Sequence, residues 1–299
     1  MPEIAEVETV RNTLKRMILN KKIIDVNIIY PKIIESNITD FKNILVGRSI
    51  IDISRRGKYL LFDLNDYVLI SHLRMEGKYF IKKSNEPMEK HEHIIISFND
   101  NTDLRYHDTR KFGRMNLVKK SDVNNIECIK KQGIEANDKS LSKEYIYNKI
   151  HNKHIPIKTL LLDQTIISGL GNIYANEVLF SSHINPERMG SSLSLAECES
   201  VARCSNKIID EAIKYGGTTI KSYTSSLGVT GRFQQFLNVH KKENEPCPVC
   251  NTKIVRIKIG GRSTYYCPNC QKWVFTHFLL YLNSKHDKIK ITRVILKGR

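Results

Sequence analysis

No stretch of this 299-residue chain reaches the roughly 18 apolar residues that span a bilayer. The longest apolar run near its end, Trp273 to Leu282, is short and is broken by Thr276 and His277. No secretory signal and no internal repeat is recognisable, and no glycine-rich turn carries the Lys-Ser/Thr ending of a Walker loop. A membrane protein, a secreted protein and a P-loop NTPase are therefore not expected. Acids are also scarce: 31 Asp plus Glu stand against 48 Lys plus Arg, a formal net charge of +17. With a pI near 9.5, the chain points to a polyanionic partner, because neutralising phosphates releases counterions. Membrane surfaces and ribosomal RNA compete with DNA for that reading.

The length allows about two domains, each with a sizeable core. Ile4, Val7, Val10, Leu14, Met17 and Ile18 fall on one face at helical spacing, with acids early (Glu3, Glu6, Glu8) and bases late (Lys15, Arg16) as the helix dipole favours. From about Ile23 to Val118 the pattern changes to short β-branched and aromatic runs, among them Ile23–Tyr30, Tyr59–Asp63, Val68–Ser71, Ile94–Phe98 and Gly113–Val118. Their spacing predicts an antiparallel sandwich or barrel. A linker is expected around Gly133 to Ser142, followed by helices over Ile157–Asp163 and Asn172–Ser181. A further helix starts at the capping box Ser194-Leu195-Ala196-Glu197 and stops at Gly216-Gly217.

The strongest local signal is Cys247-Pro248-Val249-Cys250, sixteen residues, then Cys267-Pro268-Asn269-Cys270. Four thiolates at this spacing suit tetrahedral Zn²⁺ in a ribbon, and four protein ligands leave no open position, so the metal is expected to be structural. With seven cysteines and no secretory signal, a reducing compartment and metal binding are favoured over disulfides. Gly260-Gly261 is the expected tip of the hairpin.

Other features admit two readings each. Pro2 is a good first-turn residue. Freed from Met1, it also offers a secondary amine beside the Glu3 carboxyl, near a positive helix end that disfavours its protonation. Gly169-Leu170-Gly171-Asn172 either cradles an anion at a helix start or simply places Asn172 as an N-cap. Asp108-Thr109-Arg110-Lys111-Phe112-Gly113 is a wedge for unstacked DNA or a solvated turn. Met75 and His91 read singly as a core methionine and a surface histidine, and Lys58 as one base of an Arg55, Arg56, Lys58 face.

Taken together, these residues resemble the formamidopyrimidine-DNA glycosylase family. The resemblance runs in order from Pro2-Glu3 through Arg56-Gly57-Lys58-Tyr59-Leu60-Leu61, His72-Leu73-Arg74-Met75-Glu76-Gly77 and Asp108 to Gly113. It continues through Ile167 to Glu177 and Gly261-Arg262-Ser263-Thr264-Tyr265-Tyr266-Cys267. It implies an α+β chain: an N-terminal helix and antiparallel β-sandwich catalytic domain (1–133), a helix–two-turn–helix DNA-binding domain (134–240) and a zinc-ribbon hairpin (241–271). The basic extension 272–299, with seven Lys or Arg and the single acid Asp287, has no counterpart in the family pattern.

The resemblance also implies roles. Pro2 would attack C1′ of a damaged nucleotide and form an iminium, Glu3 would give a proton to open the sugar, Lys58 would donate in β-elimination and Arg262 in δ-elimination. Met75, Arg110 and Phe112 would fill the gap left by the extruded nucleotide. His72, His91, Arg110, Lys153 and Asn172 would contact DNA, and Gly217 to Gln234 would carry a loop over the flipped base. Cys247, Cys250, Cys267 and Cys270 would hold one structural zinc. Two positions depart from the pattern: Ala5 replaces a usual proline, and His154 replaces Lys or Arg, with Lys153 its substitute. The expected protein is a monomeric DNA glycosylase and apurinic/apyrimidinic lyase acting on oxidised purines in double-stranded DNA, away from membranes, in the cytoplasm at the nucleoid. Two alternatives stay open, a pyrimidine-preferring enzyme of the endonuclease VIII type and a non-catalytic zinc-ribbon DNA-binding protein.

Overall fold

A computed structural model describes residues 1–218 and 231–272. Residues 219–230 of the expected loop, Gly217 to Gln234, and the basic extension beyond 272 lie outside the described residues. In chain order the elements are α1 (Ile4–Ile18), β1 (Ile23–Ile28), α2 (Ile38–Leu45), β2 (Asp52–Arg56), β3 (Tyr59–Asp63), β4 (Tyr67–His72), β5 (Lys78–Lys83), β6 (Glu92–Phe98), β7 (Thr102–His107) and β8 (Arg114–Lys119). Then follow α3 (Glu127–Lys130), β9 (Ile134–Glu135), α4 (Lys143–Ile150), α5 (Ile157–Leu162), β10 (Ile167–Ser168), α6 (Asn172–Ser181), α7 (Leu195–Lys214), β11 (Val255–Ile259) and β12 (Arg262–Tyr266). Among the described residues no helix is long and apolar enough to cross a membrane.

Two antiparallel four-stranded sheets, ordered β1-β6-β7-β5 and β2-β3-β4-β8, form the sandwich. Inward residues such as Val26, Ile53, Phe62, Leu69, Ile94, Phe98 and Leu104 fill the space between them. Helix α1 spans two cores. Its Val7, Val10, Leu14 and Ile18 join the sandwich core, whereas Ile4 and Ala5 are buried in the helical core built from α4, α5, α6 and α7. The side chain of Ala5, the departure from proline, is fully enclosed there. One element, α2, breaks the expected run of strands. Asn37 caps it by accepting from the Asp40 N–H at 3.0 Å, and Phe41 and Leu45 bury one face.

The expected linker is firmly anchored. Ile134 and Glu135 pair in parallel with Ile167 and Ser168, and Ala136 is fully buried. The β2–β3 turn docks against this pair. Arg55 lies between Glu8 (2.9 Å) and Glu135 (2.7 Å), and Glu135 also accepts the Gly57 N–H at 2.7 Å. Arg56 donates to the Gln132 and Gly133 carbonyls, both at 2.9 Å. The bases of this turn therefore clamp the sandwich to the helical part instead of forming a solvated face. Gly57 makes the approach possible: its φ is +56°, and a Cβ there would lie 2.3 Å from Ser168 Oγ and 2.7 Å from Gln132 Oε1.

Gly57→Ala combines a left-handed backbone with this crowding. It should lower stability by about 2 kcal/mol, read as a fall in the urea unfolding midpoint. An unchanged midpoint would show that the turn does not depend on the close approach.

Candidate active site

The chain N-terminus and the start of α6 meet in one buried place. Glu3 is the N-cap of α1, its N–H bonding to Glu6 at 2.9 Å, and its carboxylate crosses to the beginning of α6. There Glu3 Oε2 accepts from the N–H groups of Gly171 (2.7 Å) and Tyr174 (3.3 Å), and Oε1 from Ile173 (2.9 Å). Gly171, not Asn172, is the N-cap of α6, and a Cβ on it would sit 2.3 Å from the Glu3 carboxyl carbon. The anion cradled at this helix start is thus a side chain of the protein itself. Burial raises the Glu3 pKa despite the opposing charge of Lys58 and the backbone N–H groups of Ile173 and Tyr174. Such a carboxyl can hold a proton for delivery.

Lys58 is buried, and its Nζ donates to the Leu170 carbonyl at 2.7 Å. Burial lowers its pKa, with Glu3 and Glu6 opposing and Arg262 adding to the drop. The α-amine at Met1 is lowered for the same first reason, burial, so an amine at this end of the chain sheds its proton more readily than in water. Met1, Glu3, Lys58, Met75, Gly171 and Arg262 line one cavity of about 270 Å³. A neighbouring cavity of about 340 Å³ is lined by Met1, Arg74, Met75, Phe112, Arg114 and Arg262. Met1, Met75 and Arg262 belong to both, so Glu3 and Lys58 are contiguous with the expected wedge residues Met75 and Phe112. Pro2 is buried.

The other expected contacts lie as follows. Phe112 is 47% exposed on the β7–β8 turn, with the Arg110 guanidinium 4.8 Å from its ring centroid. His91 is partly buried beside His93 and His107. His72 is buried, its Nδ1 accepting the Arg74 N–H at 2.9 Å, and burial drops its pKa to about 3. A neutral, enclosed imidazole supports the Arg74–Met75 turn. Lys153 is exposed after α4, and neighbouring His154 meets Ser191 Oγ at 3.1 Å. Asn172 Nδ2 donates to the Ser263 carbonyl at 2.9 Å, fastening the zinc hairpin to α6.

In that hairpin Val255–Ile259 pairs with Arg262–Tyr266 around Gly260-Gly261, both at positive φ as a two-residue turn requires. The four cysteine Sγ atoms lie within 4.8 Å of one another, with close pairs at 3.4 to 3.8 Å. These separations far exceed a disulfide of about 2.05 Å and approach the edge of about 3.8 Å expected for a tetrahedron with Zn–S near 2.3 Å. The donor set fits one structural zinc.

Three family models match in order: the formamidopyrimidine-DNA glycosylase N-terminal domain over 1–115, the formamidopyrimidine-DNA glycosylase H2TH domain over 132–224, and the zinc finger found in FPG and IleRS over 244–272. The chain belongs to the formamidopyrimidine-DNA glycosylase family. It is 45% identical over 273 residues to the Bacillus anthracis formamidopyrimidine-DNA glycosylase, covering 91% of this chain and 99% of that one. It is 43% identical over 272 residues to the Lactobacillus delbrueckii subsp. bulgaricus glycosylase, covering 91% and 100%. Among solved structures, a Lactococcus lactis Fpg complex with DNA containing an abasic site has a TM-score of 0.86 at 40% identity, covering 91% of this chain and all of that one. A Lactococcus lactis FPG variant bound to DNA containing Fapy-dG has a TM-score of 0.87 at 39% identity, with the same coverage.

Several buried groups at this family site escape sequence reasoning. Glu6 Oε1 accepts from Tyr174 Oη (2.7 Å), the Thr218 N–H (2.8 Å) and Thr218 Oγ1 (3.0 Å). Lys158, fully buried, donates to the Asn172 carbonyl (3.0 Å) and Asn176 Oδ1 (2.6 Å), and Asn176 Nδ2 meets His240 Nδ1 at 2.8 Å. Its one sequence signal is a lone charge in the apolar run Ile157–Leu162.

Burial pulls the Lys158 pKa from 10.5 to about 7. Between those values the unfolded chain keeps a proton that the folded chain has released, so stability rises with pH; below about 7 both states are protonated and the burial penalty is complete. The stability of the unsubstituted protein relative to Lys158→Met should therefore improve from about pH 7 to about pH 9.5, and a flat difference would contradict this. Chelation or Cys267→Ser should release one zinc per chain, counted by metal analysis, and weaken DNA binding because Arg262 loses its cross-linked support. Protein purified without chelator and found to hold no zinc would overturn the metal assignment.

Proposed function

We propose that this chain is a base-excision repair DNA glycosylase and apurinic/apyrimidinic lyase for oxidised purines, 8-oxoguanine and formamidopyrimidines, in double-stranded DNA. The observation that carries the reading is the continuity of the two cavities. The N-terminus, Glu3, Lys58 and Arg262 share walls with Met75, whose turn faces Phe112.

The chemistry follows from what each residue can do there. Once Met1 is removed, the Pro2 nitrogen is a secondary amine in a desolvated place, and burial favours its unprotonated, nucleophilic form. It attacks C1′ as the C1′–N bond to the damaged base breaks, and the amine's one N–H proton passes to the departing base or to water. Cleavage of C1′–O4′ then gives an iminium on a nitrogen with no proton left to lose. Glu3, held by three N–H groups, delivers the proton that opens the sugar. The iminium makes the C2′ proton acidic, and loss of that proton expels the 3′ phosphate in β-elimination. Lys58, fixed on the Leu170 carbonyl, donates in this step. Arg262 at the start of β12 serves the δ-elimination that expels the 5′ phosphate.

Met75, Arg110 and Phe112 fill the gap in the duplex, His91 and Lys153 contact DNA, and Asn172 meets a phosphate. His72 acts through the Arg74–Met75 turn. Zinc keeps Arg262 in place and takes no part in the chemistry. The net charge of +17 supplies the general attraction to DNA. A single chain contains every group named, consistent with action as a monomer, and the reading places the protein with chromosomal DNA inside the cell.

Duplexes carrying 8-oxoguanine or thymine glycol test the substrate class. Faster cleavage of the 8-oxoguanine duplex is expected, and a preference for thymine glycol would move the chain to the pyrimidine-specific branch. The same assay on a form that retains Met1 tests the nucleophile. Borohydride should then trap no protein–DNA adduct, because an acylated Pro2 nitrogen has no lone pair to give.

A further inference from the structure

Three turns on the face that carries the wedge hold a non-glycine residue at positive φ: Arg74 (+54°), His91 (+73°) and Lys111 (+58°). Left-handed backbone at such residues is uncommon and needs support from its surroundings. One fully buried residue, Asp108, sits where these turns meet: its carboxylate ties the Phe112 turn, its backbone the His91 turn, and its neighbour Thr109 reaches the Met75 turn. Its Oδ1 accepts the Arg110 N–H at 3.0 Å, and its Oδ2 accepts the N–H groups of Phe112 (2.9 Å) and Gly113 (2.8 Å). Its own N–H donates to the His91 carbonyl at 3.0 Å, and its carbonyl meets His93 Nε2 at 2.8 Å. The Tyr106 hydroxyl, 3.4 Å from Oδ2, lies under both Gly113 and Gly77. The next residue, Thr109, donates through Oγ1 to Glu76, beside Met75.

We propose that Asp108 is a positioning residue for nucleotide extrusion. Its carboxylate fixes the Phe112 turn, which its backbone ties to the His91 turn and Thr109 ties to the Met75 turn, so that Met75, Arg110 and Phe112 enter the duplex as a preformed unit. This rests on the DNA-glycosylase reading above. The physical case is preorganisation. A turn whose three N–H groups are already bonded to a buried carboxylate loses little ordering entropy when DNA closes over it. Without that carboxylate the same N–H groups lose their partner or reorient, and the wedge has several arrangements to choose from. Asn at this position keeps the shape but presents an NH₂ to at least one N–H that now meets an acceptor.

The test measures binding to a duplex containing tetrahydrofuran, an abasic analogue that cannot form an iminium, so the outcome is independent of Pro2 chemistry. Asp108→Asn should weaken that binding about tenfold, the scale of leaving a buried donor unpaired. Affinity for undamaged duplex, governed by phosphate contacts, should change less than about twofold. Because Asp108 acts through Phe112, adding Phe112→Ala to Asp108→Asn should cost far less than Phe112→Ala alone. Full additivity of the two substitutions, or undiminished binding by Asp108→Asn, would overturn the proposal. If Asp108→Asn shows no cooperative unfolding transition, Thr109→Val decides. It removes only the exposed bond to Glu76: weaker binding to the tetrahydrofuran duplex supports the coupling, and unchanged binding overturns it. Failure of the unsubstituted protein to excise 8-oxoguanine would count against the glycosylase reading alone.

Discussion

The carboxylate of Glu3 at the first turn of α6 is the interaction on which the rest depends. A helix start presents unpaired N–H groups and partial positive charge, and a carboxylate satisfies both. Here the carboxylate comes from residue 3 and the helix from residue 172, so a capping contact becomes the joint between the sandwich and the helical part. It fixes where the chain begins, and therefore where the N-terminus stands relative to Lys58 and Arg262. The Ile4 N–H bond to the Gly169 carbonyl at 3.1 Å and the burial of Ile4 and Ala5 in the helical core secure the same joint.

The joint is built from groups that ordinary folding avoids. Glu3, Glu6, Lys58 and Lys158 are all buried, and taking each charge out of water costs several kcal/mol before its partners offset it. Their partners are mostly backbone groups and neutral side chains: Leu170 and Asn172 carbonyls, helix N–H groups, Tyr174, Asn176 and Thr218. Such partners hold position without neutralising charge, which leaves the Glu3 carboxyl with a raised pKa and the lysines with lowered ones. Proton transfer near neutral pH needs that pairing of shifts. Stability is given up at the joint and recovered in the two apolar cores on either side.

Much of this was legible in the sequence. The apolar stripe of α1, the capping box at Ser194 and the two Cys-x-x-Cys pairs each follow from a local rule, and each has the expected form. Strands β5 and β7 carry little of the usual alternation, because Arg105 is buried among Asp103 and Glu92, and Lys82 lies across Glu92. Helix α2 was hidden inside a region rich in β-branched residues. The site was legible mainly through resemblance. Lys58 looks like one more surface base until the Gly57 turn is seen docked on Ser168 and Gln132. Asn172 reads as its helix's own cap until Glu3, distant in sequence, arrives to do that job. Contacts made between residues so far apart in the chain leave no local periodicity to read.

The central claim is that the chain start is the nucleophile. Reducing the reaction on 8-oxoguanine duplex with borohydride and locating the attached sugar by peptide mass spectrometry tests it directly. The expected result is a deoxyribose remnant on a peptide whose first residue is Pro2, with Lys58 and Lys158 unmodified. Attachment at either lysine, or at an N-terminus still carrying Met1, would contradict it.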